Sequence, residues 1–313
     1  MLNEIKIIII FGGDSSEREV SLVSGSEINR ALCDKYETDL IEINPINCST
    51  FINKIPNNGI VFNALHGGTG ENGQIQSFLD QAKIIYTGSG ATASMLAMNK
   101  HITKTICVEN GISTANWSGL RLVDSNKVKK IISHDNKFGD KVIIKPNFQG
   151  SSIGISIADY NNIEEAVELA FMYSNEVLVE EYIKGREITV GILGNKTLPL
   201  IEIMPNQDYY NFDCKYTQGQ SIYRVPADID TDVEKKIKED ALSIYHLLGC
   251  RHYSRVDFLL DQNNNHFLLE VNTLPGMTPS SLLPKAAESK GMDFDELVET
   301  ILKIALIDND KVL

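Results

Sequence analysis

The chain has 313 residues, 42% of them apolar and 23% charged, an ordinary balance for a soluble globular protein of two or three domains. Its net charge of −13 argues against nucleic acid as a main partner, because phosphate backbones attract basic faces. Five scattered cysteines (Cys33, Cys48, Cys107, Cys214, Cys250) without a C-x-x-C pair fit a reducing cytoplasm, and the opening apolar run IIIIF is far too short to span a bilayer.

IKIIIIF predicts a buried strand, turned by Gly12 and Gly13, and SSEREVSLVSGSEINRAL has helical spacing at Val20, Val23 and Ile28. GIVFNALHGG and AKIIYTGSG repeat the strand-then-glycine grammar. Strands alternating with helices imply a mostly parallel sheet, with ligands beyond the carboxyl ends of its strands. ATASMLAMNKHITKTICVENG predicts one helix stopped by Gly111, with Lys100 near its end. From about Asp140 the period changes: KVIIKP, GISIA and EVLVEEYI are short strands around the helix IEEAVELAFMYS, a small antiparallel domain. A third block holds REITVGILG, TLPLIEIMP, a polar aromatic stretch, the helix DVEKKIKEDALSIYHLLG and finally RVDFLLDQNNNHFLLEVN.

That last segment is two apolar runs flanking an Asn-rich turn. A symmetric turn sets Asp261 against His266, Asp257 against Glu270 and Arg255 against Asn272. Val256, Phe258, Leu260, Phe267, Leu269 and Val271 then share the apolar face. Opposed carboxylates destabilise a sheet unless neutralised, and a divalent cation with all-oxygen ligands, such as Mg²⁺, would do so. The alternative is a solvated face on which Arg255 neutralises one acid; a one-residue slip would separate the pair.

KPNFQGSSIGIS inverts the order of a P-loop, since Lys145 precedes the glycines and strands flank the loop. Gly150, Ser151, Ser152 and Gly154 could fold over a polyphosphate with Lys145 on the strand beneath, or form a plain surface hairpin. Lys100 could add a phosphate contact or be a surface lysine. EEYIKGRE could offer backbone groups to an adenine edge, leaving Glu180 or Glu187 for ribose hydroxyls. His101, His134, His246, His252 and His266 have no metal spacing, and Ser15, Ser16 and Ser152 lack the G-x-S-x-G context of a hydrolase.

Taken in order, FGGDSSEREVS, ALHGGTGENGQIQ, IIYTGSG, KPNFQGSSIGIS, EEYIKGREITVGIL and SRVDFLLDQNNNHFLLEVNTLPGMTPSSLLPKAA resemble the signatures of the D-alanine–D-alanine ligase family, within the ATP-grasp superfamily. The resemblance runs from about residue 6 to residue 300. It implies an α/β fold of three domains, at 1–96, 97–184 and 185–313, with ATP gripped between two antiparallel sheets. By the same resemblance Lys100, Lys145 and Ser152 serve the phosphates, and Glu180, the backbone at Tyr182 and Ile183, and Glu187 hold adenine and ribose. Asp257, Glu270 and Asn272 ligate two Mg²⁺, or Mn²⁺ in their place, with a monovalent cation as a further candidate. Glu17 binds the first D-alanine's ammonium beside His66, Ser281 and Leu282 hold the second carboxylate, and Arg255 and the Gly276 amide stabilise oxyanions. In a lid at about 205–222, Lys215 touches the γ-phosphate and Tyr216 bonds Ser151 and Glu17, which favours a dipeptide over D-lactate or D-serine products. The implied reaction is ATP-dependent ligation of two D-alanines through an acyl phosphate, for peptidoglycan, by a cytoplasmic homodimer. Asn99 and Gln149 depart from the family's usual Asp and Glu. The intact set of Arg255, Asp257, Glu270 and Asn272 argues against a binding module without catalysis.

Overall fold

The computed structural model describes residues 5–122, 138–159, 161–205 and 221–310. The first sheet is parallel: β1 (Lys6–Gly12), β2 (Glu37–Ile43), β3 (Gly59–Asn63) and β4 (Ile85–Tyr86), in the order β2-β1-β3-β4. Ile7 to Ile10 are buried on both faces of β1, as a central parallel strand requires. With it go α1 (Arg18–Leu32), α2 (Gly68–Glu71) and α3 (Gln74–Gln81), whereas α4 (Ala91–Met98) buries Ala93 and Ala97 in a separate core with Ile188, Val190 and Val256.

The helix expected from Ala91 to Gly111 is in fact two. Asn99 leaves the helical region with ψ 92°, and its Oδ1 accepts from Ile102 N at 3.1 Å, capping α5 (Lys100–Glu109). An Asn side chain that captures an amide two or three residues ahead starts a new helix, and the apolar periodicity could not reveal that. Lys100 is therefore the first residue of a helix, not near the end of one.

A second sheet, antiparallel, holds β5 (Trp117–Arg121), β6 (Val142–Pro146), β7 (Ser156–Ala158) and β8 (Glu176–Glu181) in the order β5-β8-β6-β7. Helix α6 (Ile163–Phe171) packs Ile163, Ala166, Val167 and Ala170 on it. The third sheet orders β9 (Gly185–Leu193), β11 (Ile201–Pro205), β12 (Ser221–Arg224), β13 (Tyr253–Asp261) and β14 (His266–Asn272) as β12-β11-β9-β13-β14, with β10 (Lys196–Thr197) beside β9. Helix α7 (Thr231–Leu247) covers it with Ile237, Ala241, Ile244 and Tyr245. After α8 (Leu282–Glu288), α9 (Phe294–Asp310) returns to the first sheet, where Leu297, Val298, Ile301 and Leu302 share a core with Ile7, Ile9, Ile28 and Leu32. No helix among the described residues is long and apolar enough to cross a membrane.

The β13–β14 hairpin keeps the expected register at one end only. Arg255 opposes Asn272, Val256 opposes Val271 and Asp257 opposes Glu270, but Phe258 then pairs with Leu268 and Leu260 with His266. Asp261 does not oppose His266: it ends β13, paired with Gly185 on the other side, and its carboxylate closes the turn by accepting from Asn263 N and Asn265 N, each at 2.8 Å. A bulge at Leu269 reconciles the two halves and flips the faces, so Leu268 is fully buried while Phe267 and Leu269 are only half-buried. Ser113 and Thr114 hold the bulge from the side, since Leu268 N donates to Ser113 O and Thr114 Oγ1 to Leu268 O, both at 2.8 Å. Leu268→Ala should therefore cost about 2–5 kcal/mol in chemical denaturation and Leu269→Ala under about 1.5 kcal/mol; equal losses would contradict the bulged register.

Candidate active site

Glu17 stands at the N-terminus of α1, facing the loop after β3. Ser15 fixes the approach: its hydroxyl donates to His66 O at 2.6 Å and accepts from Glu17 N at 3.1 Å, a structural task that leaves no role as nucleophile. Gly67 has φ +63°, and a Cβ there would meet Glu17 Oε2 at 2.5 Å, so only glycine lets the chain pass so close to that carboxylate. His66 is almost fully buried. Its Nδ1 lies 3.0 Å from Leu274 O, which can only accept, so Nδ1 carries the proton and Nε2 accepts from Ser24 Oγ at 2.8 Å. Ser24 Oγ in turn accepts from Met277 N at 3.3 Å. Burial pushes the His66 pKa below its ordinary value despite the pull of Glu17.

The start of α5 is locked to the loop after β6. Asn147, fully buried, accepts from His101 N at 2.9 Å and donates Nδ2 to Asn99 Oδ1 at 2.9 Å and to Glu176 Oε2 at 3.2 Å. Lys100 Nζ donates to Gln149 O at 2.7 Å and lies 3.5 Å from Glu270 Oε2. The main-chain carbonyl of residue 149 makes that bond, so it does not depend on the Gln side chain. Asn99 performs its capping with an oxygen that an Asp would share. Ser151 and Ser152 sit in the left-handed region at φ 51° and 58°, and Ser151 Oγ donates to Glu17 Oε1. The loop is thereby drawn across to α1 in a conformation that costs non-glycine residues roughly 1–2 kcal/mol each.

On the hairpin, Arg255 grips Asp257 through Nε–Oδ1 at 2.9 Å and Nη2–Oδ2 at 2.7 Å, and Thr189 Oγ1 donates to Asp257 Oδ1 at 2.5 Å. Asp257 is buried beneath that arginine, whereas Glu270 faces the cleft. Asn272 Oδ1 accepts from Leu274 N at 3.1 Å and so shapes the following turn. Ser281 caps the turn at Gly276 to Thr278: its hydroxyl accepts from Thr278 N at 3.2 Å.

These segments enclose a cleft of about 640 Å³. Glu17, His66, Lys100, Ser151, Arg255, Glu270, Asn272, Gly276, Ser281 and Leu282 all line it. Lys145, Ser152, Glu180, Tyr182, Ile183, Glu187 and Asp257 do not. Lys145 and Glu180 are instead buried together on the second sheet, 2.8 Å apart, with Lys104 3.2 Å from the same Glu180 oxygen. Tyr182 and Ile183 form the half-buried link from β8 to β9, and Glu187 shares the site face of β9 with Thr189. Lys215 and Tyr216 lie outside the described residues, as do Cys214 and His134.

Residues 106–303 match the family described as D-ala D-ala ligase C-terminus. The D-alanine--D-alanine ligase of Geobacter sulfurreducens is 38% identical over 304 residues, covering 96% of this chain and 94% of that one. The chain belongs to the D-alanine–D-alanine ligase family. Two solved structures of the Bacillus anthracis D-alanine--D-alanine ligase agree in fold. One superposes with a TM-score of 0.86 at 32% identity, covering 99% of this chain and 100% of that one. The other, complexed with ATP, gives 0.84 at 30% over the same shares. The architecture is thus the family's ATP-grasp arrangement of a parallel sheet and two antiparallel sheets.

Within this D-alanine–D-alanine ligase family member, several residues of the site escaped sequence reading. Glu71 lines the cleft, and burial followed by the charge of Glu17 pushes its carboxyl well above the usual range. It stands inside ALHGGTGENGQIQ, where the glycines drew attention away from the acid. Lys104 follows Lys100 by one helical turn, a spacing that could have signalled a shared face. Thr189 and Asn147 carry no signal outside the fold. Three other histidines are structural: His252 Nδ1 accepts from Gly88 N at 3.1 Å, His101 Nδ1 accepts from Trp117 Nε1 at 2.9 Å, and His266 lies 2.6 Å from Asp240. For His66, ¹H–¹⁵N NMR at pH 7 should report the neutral Nδ1–H tautomer, because its pKa lies below the ordinary value; an imidazolium or an Nε2–H form would refute donation from Nδ1 to Leu274 O.

Proposed function

We propose that the protein ligates two D-alanines to D-alanyl-D-alanine at the expense of ATP, as its relatives' names indicate for them. The observation that carries this reading is the single cleft onto which Glu17, Lys100, Ser151, Arg255, Glu270, Asn272, Gly276 and Ser281 converge from all parts of the chain. A carboxylate is a poor acyl donor, so one oxygen of the first D-alanine attacks the γ-phosphorus. The bond to ADP breaks and an acyl phosphate forms. The amine of the second D-alanine then attacks the acyl carbon, a tetrahedral oxyanion collapses, phosphate leaves and the amine proton is lost.

Each side chain has a task suited to its chemistry. Glu17, held by Ser15 and Ser151, accepts the first ammonium, with neutral His66 behind it. Arg255 and the Gly276 amide meet the developing oxyanion, while Ser281 and the Leu282 amide, at the start of α8, take the second carboxylate. Lys100 and Lys145 serve the phosphates, with Ser152 in the flap; Glu180, the main chain at Tyr182 and Ile183, and Glu187 serve adenine and ribose. Lys215 and Tyr216 complete the assignment from the lid. Asp257, Glu270 and Asn272 offer three oxygen donors side by side on one hairpin, the hard set that Mg²⁺ or Mn²⁺ prefers. When bound, such ions neutralise phosphate charge. Each acid already has a cation beside it, Arg255 for Asp257 and Lys100 for Glu270. Water has to be kept out while the acyl phosphate persists, which an enclosed cleft favours. Domains dividing near residues 96 and 184, a homodimer in the cytoplasm and a monovalent-cation requirement belong to the same reading.

Phosphate release should require ATP, Mg²⁺ and D-alanine together, with the dipeptide identified by mass spectrometry against D-lactate and D-serine as acceptors. Absence of release would end the ligase reading. Glu270→Ala should lower turnover by on the order of 10²-fold or more, and near-normal activity would overturn the metal assignment. Tyr216→Phe should be impaired less severely.

A further inference from the structure

The second sheet buries a charge cluster that the ligation chemistry uses only in part. Glu180 on β8 stands in a row with Trp117 on β5 and Ile143 on β6, and Lys145 is two residues along β6 on the same face. Glu180 Oε1 is 2.8 Å from Lys145 Nζ and 3.2 Å from Lys104 Nζ. One carboxylate thus faces two ammonium groups, and all three side chains are buried. Such a group carries an excess positive charge in a dry place, a state that an arriving anion relieves by drawing one cation away.

The two lysines are not equivalent. Lys104 has no exposed surface at all. Its Nζ donates to Thr114 Oγ1 at 2.7 Å and lies 5.5 Å from the centre of the Trp117 ring. Thr114 Oγ1 passes its own hydrogen to Leu268 O, next to the bulge that sets Glu270 against Asp257. Lys145 lies at the mouth of the loop that carries Gly150 and Ser151, and no such anchor is formed between its ammonium and the β13–β14 hairpin among the described residues. We propose that Lys104 is a positioning residue of the nucleotide site: it is the resident counter-ion of Glu180, which keeps that carboxylate in place when Lys145 turns to phosphate, and it ties the same point to the metal hairpin through Thr114. The cluster's electrostatics agree with this division. Burial would raise the Glu180 pKa, but Lys104 first and Lys145 second outweigh it and hold the carboxyl below its ordinary value. Burial brings Lys104 itself down to about 8.

The inference rests on the assignment of Glu180 and Lys145 to ATP, and steady-state kinetics of the full chain separates the two. Glu180→Gln and Lys145→Met test the assignment; Lys104→Met and the double variant Lys104→Met/Glu180→Gln test the inference. Lys104→Met should raise the KM for ATP by about tenfold or more, leaving kcat and the KM for D-alanine within about threefold, and the double variant should be no worse than Glu180→Gln alone, because the two residues act as one unit. An unchanged KM for ATP in both Glu180→Gln and Lys145→Met would remove the nucleotide assignment itself. A raised KM there with none in Lys104→Met, or effects of Lys104→Met and Glu180→Gln that multiply, would overturn the role of Lys104 alone. A parallel rise in the KM for D-alanine would mark a general lesion and equally overturn it. Should Lys104→Met fail to fold, the double variant decides: a KM matching Glu180→Gln supports the proposal, and a further tenfold rise refutes it.

Discussion

Compensation of carboxylates buried or half-buried on the two antiparallel sheets is the constraint on which the site depends. In a chain of net charge −13, Asp257 is met by Arg255, Glu270 by Lys100, and Glu180 by Lys104 and Lys145. Removing one partner of such a buried pair typically costs about 3–5 kcal/mol, because the other charge is left uncompensated. Lys100 ties α5 to β14, and Lys104 and Lys145 tie α5 and β6 to β8, so these pairings also fix one piece of the fold against another, whereas Arg255 answers Asp257 within β13. Overall negative charge and locally positive reach are therefore compatible: the few cations that matter are placed where a polyanion would come.

Neutral hydrogen bonds set those charges in position. Asn147 joins the start of α5 to the strand edge at Glu176, which brings Lys100 under the loop and within reach of Glu270. Ser113 and Thr114 hold β14 at its bulge, and the bulge returns the hairpin to the register in which Asp257 and Glu270 face each other. His66 and Ser24 do the same for the turn at Leu274 to Met277. Strain is present too: Ser151 and Ser152 accept left-handed backbone so that the loop reaches Glu17. Residues in such conformations persist where surrounding bonds over-determine them, here at the junction of the loop with α1.

Much of this is legible without the fold. Period-two alternation in RVDFLL and FLLEVN announces two strands, and their turn pairs Asp257 with Glu270 and Arg255 with Asn272, as the structure does. The same counting fails at Asp261 and on the apolar face, since a bulge changes phase without leaving a mark in hydrophobicity; Leu268, not Phe267 or Leu269, goes to the core. The break at Asn99 is likewise hidden, because the buried positions Ala93, Ala97, Lys100, Lys104 and Cys107 keep helical spacing across it and only the capping bond separates α4 from α5.

The sequence by itself determined the element types, the order of the motifs and the chemical nature of the groups available, because alternation and glycine placement are local properties of the chain. It also determined that Lys145 precedes its loop on a strand. Only the tertiary structure decided which cation answers which carboxylate. That choice depends on distances between α5, the second sheet and the hairpin, which lie far apart in the chain and share no local pattern. Lys104 shows the difference most clearly: in sequence it is one more helical lysine, and in the fold it is fully buried between Glu180, Thr114 and Trp117.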